Sequence, residues 1–100
     1  MAEPVYQMFL SKNTEAWYQL SGEEQERLMA SISLSLDEVG AEVIALCDAS
    51  WSTEPWQIFG LIKFPSLEAL KRHREDSNKI EWSRYGDTMS VLGTKLSSPS

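Results

Sequence analysis

Apolar positions recur along this chain with two periods, near two in some stretches and near 3.6 in others. Val5 to Lys12 is rich in Val, Tyr, Met, Phe and Leu and closes on Asn13 and Thr14, which predicts a strand. Residues 14–20 are too short for a stable helix and read as a turn or a single helical loop. Ser21 with Glu24 matches a capping box, where each side chain satisfies the other residue's free backbone donor. The helix behind it carries Leu28, Ile32, Leu36 and Val39 as one stripe, and Gly40 ends it. Ala41–Ala49 and Trp56–Phe64 read as the second and third strands, with Ser50–Pro55 as the loop between them. Ser66 caps a second helix, down one face of which run Leu67, Leu70, His73 and Ser77. A short turn carries Ile80 and Trp82, and a last strand runs from about Thr88 to Leu96.

This β-α-β-β-α-β order is the ferredoxin-like α+β plan, a four-stranded antiparallel sheet with two helices on one face. A sheet covered on one side should alternate apolar inward and polar outward. This one does not. Val5 and Phe9 share one face of the first strand, while Tyr6, Met8 and Leu10 share the other. In the third strand Trp56, Ile58, Ile62 and Phe64 oppose Phe59 and Leu61; in the second, Val43, Ala45 and Cys47 oppose Ile44 and Leu46. A second apolar face needs cover, since each large side chain contributes roughly 1.5–3 kcal/mol when buried. A homodimer with its two sheets face to face supplies that cover, and an interface of about 1,600 Å² would be standard.

Composition narrows the function classes. The length of 100 residues fits one domain, expected over residues 1–96 with a frayed tail at 97–100. No apolar run approaches the ~18 residues of a membrane span, and the N-terminus lacks a secretory pattern. Cys47 stands alone, so a reducing cytoplasmic setting is expected. Residues 1–50 hold nine acids and two bases, and residues 51–100 hold six acids and seven bases. A net charge of −6 repels phosphate backbones and argues against a nucleic-acid partner. The basic run Lys71, Arg72, His73, Arg74 is expected to pair with acids of the first helix such as Glu23, Glu24 and Glu26.

The segment Thr14–Arg27 (TEAWYQLSGEEQER) resembles the darcynin-like proteins, as do Trp82–Tyr85 (WSRY) and the Leu92-Gly93 pair. Phe64–Leu70 (FPSLEAL) with His73 is similar to the wider dimeric α+β barrel superfamily, including its antibiotic-biosynthesis monooxygenase and stress-responsive branches. The resemblance implies the fold and the dimer. It leaves function open, because monooxygenases, isomerases, cyclases, haem enzymes and proteins without known activity share this architecture.

The inventory excludes several chemistries. One His and one Cys cannot build a multi-ligand metal site, and no glycine-rich phosphate cradle or haem-attachment run is present. Asn13, Trp56 and His73 match residue types used by haem-degrading relatives, but 17 positions between Trp56 and His73 is too long a separation. No cofactor is expected. His73 reads either as a boundary residue filling space between helix and sheet, or as a general acid/base tuned by burial and by Asp76. Partial burial would leave it neutral at pH 7. Trp17, Tyr18, Trp51, Trp56, Trp82 and Tyr85 read either as core and interface filling, or as a pocket for a small hydrophobic or aromatic molecule. In that second reading His73, Asp76 and Tyr85 are the catalytic candidates and Trp17, Tyr18, Trp56, Trp82 and Phe9 hold the substrate. Cys47, mid-strand among small residues, reads as a packed hydrophobe. The chain is thus expected to bind a small metabolite as a homodimer. It would act as a cofactor-independent cyclase, isomerase or monooxygenase, or serve as a non-catalytic binding or stress-response module.

Overall fold

The computed structural model describes residues 3–53 and 55–96; the tail expected at 97–100 lies outside them. The elements are β1 (Val5–Asn13), α1 (Glu15–Tyr18), α2 (Gly22–Glu38), β2 (Glu42–Asp48), β3 (Ile58–Phe64), α3 (Leu67–Lys79), a 3₁₀ turn (Trp82–Arg84) and β4 (Gly86–Gly93). The strands form one antiparallel sheet in the order β2-β3-β1-β4, the ferredoxin-like arrangement. β3 begins at Ile58 rather than Trp56, and β4 starts two residues and ends three residues earlier than the expected strand. Both shifts follow from pairing: β1 continues to Asn13 and holds Gly86 opposite it, while Gln57 leaves the ladder to bond Ser11 and Ala49.

Local chemistry sets the helix limits. Ser21 Oγ accepts from Glu24 N at 3.1 Å and Glu24 Oε1 accepts from Ser21 N at 3.0 Å, the full reciprocal cap. At the other end Gly40 takes φ +76°, so that its N–H reaches Asp37 O and the N–H of Ala41 reaches Leu36 O. That pair of bonds is a Schellman stop, for which a residue without Cβ is favoured. Ser66 Oγ caps α3 by accepting from Ala69 N at 3.1 Å.

Register assigns the sheet faces. Val5 lies opposite Phe64, Gln7 opposite Ile62 and Phe9 opposite Gly60, and this face looks toward the helices. Val5, Val39, Ile62, Phe64 and Leu70 form the buried core, with Phe9, Leu36, Ala41 and Ala69 against it. Leu28 and Ile32 are only half-buried, so the α2 stripe is tightest at its C-terminal end. Gly60 is the point of closest approach: a Cβ there would stand 2.8 Å from the Phe9 ring and 2.9 Å from Ala45 O. In β2 the register slips at Ile44, so Val43 pairs with Ile62 while Ala45 and Cys47 pair with Leu61 and Phe59. The bulge therefore separates Val43 from Ala45 and Cys47, which simple alternation had placed together. Tyr6, Met8, Leu10, Phe59, Leu61, Met89 and Val91 share the helix-free face. There Met8, Phe59, Met89 and Val91 are 53, 43, 56 and 58% exposed.

Candidate functional site

Two constellations sit at opposite ends of the helix-facing side of the sheet. The first joins α2 to α3. Ser35, almost fully buried, places its hydroxyl 2.8 Å from Asp76 Oδ2 and 2.9 Å from His73 Nδ1. A serine hydroxyl has one proton, and the Asp76 oxygen accepts it. Nδ1 of His73 must then be the donor to Ser35, which leaves the lone pair on Nε2. The order is Asp-Ser-His, with serine in the middle, so the hydroxyl is held as a bridge and is not poised as a nucleophile. The His73 ring lies 5.8 Å from that of Phe64. Arg72 reaches Glu38 at 3.6 Å and adds an exposed second link between the helices. The basic run thus meets the C-terminal end of α2, not Glu23, Glu24 and Glu26. Glu23 instead pairs with Arg27 and Glu24 is occupied by its cap, because charge pattern alone does not say which end of a helix is adjacent.

Burial pushes the His73 imidazole below its ordinary value, against the opposing pull of the Asp76 carboxylate. The sign of the consequence is definite. Well above pH 6.5 the imidazole is neutral in both folded and unfolded chains and adds no pH dependence. Below it the unfolded chain takes up a proton that folded His73 resists, so stability falls until the folded value is passed. His73 is the chain's sole histidine, so a melting-temperature profile from pH 8 to 5 should slope downward on the acid side. His73→Gln should flatten that slope, and an unchanged slope would show that the ring is not buried. Glu24 and Asp48 are both held below their ordinary values by hydrogen bonds from Ser21 and Ser50. Stability they contribute is lost only at lower pH, as it falls through their depressed values.

The second constellation is an open cleft of about 550 Å³, lined by Asn13, Tyr18, Leu46, Cys47, Asp48, Ser50, Gln57 and Ile58. It is a shallow, open depression, with Tyr18 and Leu46 both more than half exposed. Gln57 organises it: the amide Oε1 accepts from Asn13 N and Nε2 donates to Tyr18 OH, both at 2.9 Å. Beside it Thr14 Oγ1 donates to Arg84 O at 2.6 Å, Thr14 N donates to Tyr85 O, and Trp17 meets Trp82 edge-on at 6.1 Å. The TEAW and WSRY segments, far apart in sequence, therefore meet at one edge of the sheet.

The expected site residues are distributed over these places. His73 and Asp76 come together through Ser35. Trp17, Trp82 and Tyr85 gather at the sheet edge, and Tyr18 lines the cleft. Trp56 lies under Lys12 with Nζ 6.0 Å from the ring, and Phe9 covers Gly60. No hydrogen bond or ring pair among the described residues joins Tyr85 to His73 or Asp76. Ser35, Gln57 and Asp48 were not legible as site residues. Ser35 does fall on the α2 stripe, seven positions after Leu28, and a serine there is the available signal. A smaller groove of about 220 Å³ runs past Ser35, Asp76 and Lys79. Among the described residues no three His, Cys, Asp or Glu are gathered to hold a metal ion. No described helix is long and apolar enough to cross a membrane.

No protein-family model and no curated protein matches the sequence. Among solved structures, the fold is similar to a chlorite dismutase from Candidatus Nitrospira defluvii, with TM-score 0.70 and 12% identity. That match covers 93% of this chain but 40% of the other, so the chain spans less than half of that protein. A DABB-family protein with a ferredoxin-like fold from Mesorhizobium loti matches at TM-score 0.62 and 13% identity over 94% of this chain and 98% of its own. A dimeric ferredoxin-like protein of unknown function from Thermobifida fusca matches at 0.57 and 10%, over 95% and 93%. The structural neighbours are thus ferredoxin-like α+β proteins.

Proposed function

We propose that the chain is a homodimeric α+β barrel protein of the darcynin-like kind whose protomer binds a small, partly apolar organic molecule in the Tyr18–Gln57 cleft. The observation that carries this reading is the cleft itself: an open volume with an apolar wall from Leu46 and Ile58 and a fixed polar side from Asn13, Gln57 and Tyr18. Sheets paired through the other face would leave Leu46, Ile58 and Asn13 of this cleft uncovered, because those residues share the helix-bearing face. The position of His73 favours binding over turnover there. Phe64, beneath His73, is six residues along β3 from Ile58 at the cleft, about 20 Å on an extended strand. A small molecule against Tyr18 and Ile58 does not reach the imidazole. His73, Ser35 and Asp76 then act as a polar lock between α2 and α3.

A second reading assigns acid–base chemistry to His73. It is favoured by the Asp-Ser-His chain, which fixes the tautomer and leaves the Nε2 lone pair free to accept a proton. Mass spectrometry of small molecules released from purified protein on denaturation tests the first reading. A compound recovered from the wild type should be lost from a folded Ile58→Trp variant, whose indole fills the cleft. Retention by that variant, with loss from Ser35→Ala, would transfer the site to His73.

A further inference from the structure

The hydrogen bonds of the cleft have a direction. The backbone N–H of Asn13 can only donate, so the atom of Gln57 facing it is the carbonyl Oε1. The other end of the amide is therefore the NH₂ group, and Tyr18 OH receives its proton at 2.9 Å. With its oxygen engaged as acceptor, the Tyr18 hydroxyl keeps its own proton for a third group. Asp48, which also lines the cleft, accepts at Oδ1 from both Ser50 N, at 2.9 Å, and Ser50 Oγ, at 2.6 Å. Asp48 Oδ2 makes no hydrogen bond among the described residues. Leu46 and Ile58 supply the apolar surface alongside.

We infer that the cleft selects a ligand with an apolar body, an acceptor oxygen such as a ketone for Tyr18, and an amine or hydroxyl donor for Asp48. Gln57 is the positioning residue that sets the polarity of Tyr18. The inference rests on the proposed binding function and adds the chemical class of ligand. Replacing Gln57 by Glu reverses one link: Asn13 still donates to the side chain, but Tyr18 now donates to the carboxylate and presents a lone pair to the cleft.

The test is amide-resonance titration of the protein with two probes, 4-(aminomethyl)acetophenone and 4-ethylbenzylamine, which share ring and amine and differ in the ketone. In the wild type both should shift the Asn13, Asp48 and Ile58 amides, the ketone binding roughly five- to tenfold more tightly, as one net hydrogen bond provides. Tyr18→Phe and Gln57→Glu should each bring that ratio to about one, although the added carboxylate of Gln57→Glu should tighten both ammonium probes; a merely structural role for Gln57 would change both probes together and leave the ratio intact. Equal binding of the probes by the wild type would overturn the polarity assignment and leave the cleft as a site. No shift of cleft amides by either probe would overturn the site and this inference with it.

Discussion

Met89→Lys with Val91→Lys is expected to yield a folded monomer, where the unaltered chain is expected to be a dimer at micromolar concentration. Both residues stand on the helix-free face, opposite Leu10 and Met8 of β1, and more than half of each side chain is exposed in the single chain. Phe59 and Leu61 continue the same surface across β3. A patch of this size on a sheet face normally meets a partner surface. In a two-fold pair each lysine occurs twice, and burying even one unpaired ammonium costs several kcal/mol. That corresponds to at least about a thousandfold weaker association. Fold should be retained, because none of these side chains belongs to the core. Light scattering should report 11.3 kDa, the mass of one chain, for the variant only. A wild type that is itself monomeric, or a variant that remains dimeric, would show that the sheet face is not the interface.

Phe64→Ala should be the most destabilising single truncation. Phe64 is fully buried, lies across from Val5, and packs with Ile62, Val39 and Leu70 under the His73 ring. Removing such a ring from a core of so few buried residues leaves a cavity and costs about 3–5 kcal/mol. Domain stabilities are commonly about 5–15 kcal/mol, so this loss removes a large part of the total. Phe59→Ala, five positions earlier and on the opposite face, is the control. It should weaken the dimer while costing the isolated fold little. Urea unfolding of the two variants in the monomeric Met89→Lys, Val91→Lys background separates the effects. Equal losses there would mean that the face assignment of β3 is wrong.

The fold was legible because each element carries its own local signal. The Ser21/Glu24 box, the Gly40 stop and the Ser66 cap depend on residues within one turn of one another, and all three form as their spacing predicts. The double-faced strands were legible for the same reason, since alternation is a local property. The slip at Ile44 was not, because a bulge is decided by the partner strand's register. The site was less legible still. His73 and Asp76 stood out as titratable groups on one face of α3, but the hydroxyl between them comes from α2, 38 positions before His73. Gln57 bonds Asn13 across 44 positions and carries no motif. Neutral polar side chains that act through long-range geometry leave no periodic trace. Part of the aromatic weight does gather in space, since Trp17 and Trp82 meet beside the cleft that Tyr18 lines.

On the proposed function the ligand occupies the Tyr18–Gln57 cleft and not the imidazole. A crystal structure of the protein with its co-purified small molecule tests this most directly. Density is expected against Ile58 and Leu46, with an oxygen within hydrogen-bond distance of the Tyr18 hydroxyl. Density seated on His73 Nε2, with the Tyr18 cleft holding only water, would contradict it.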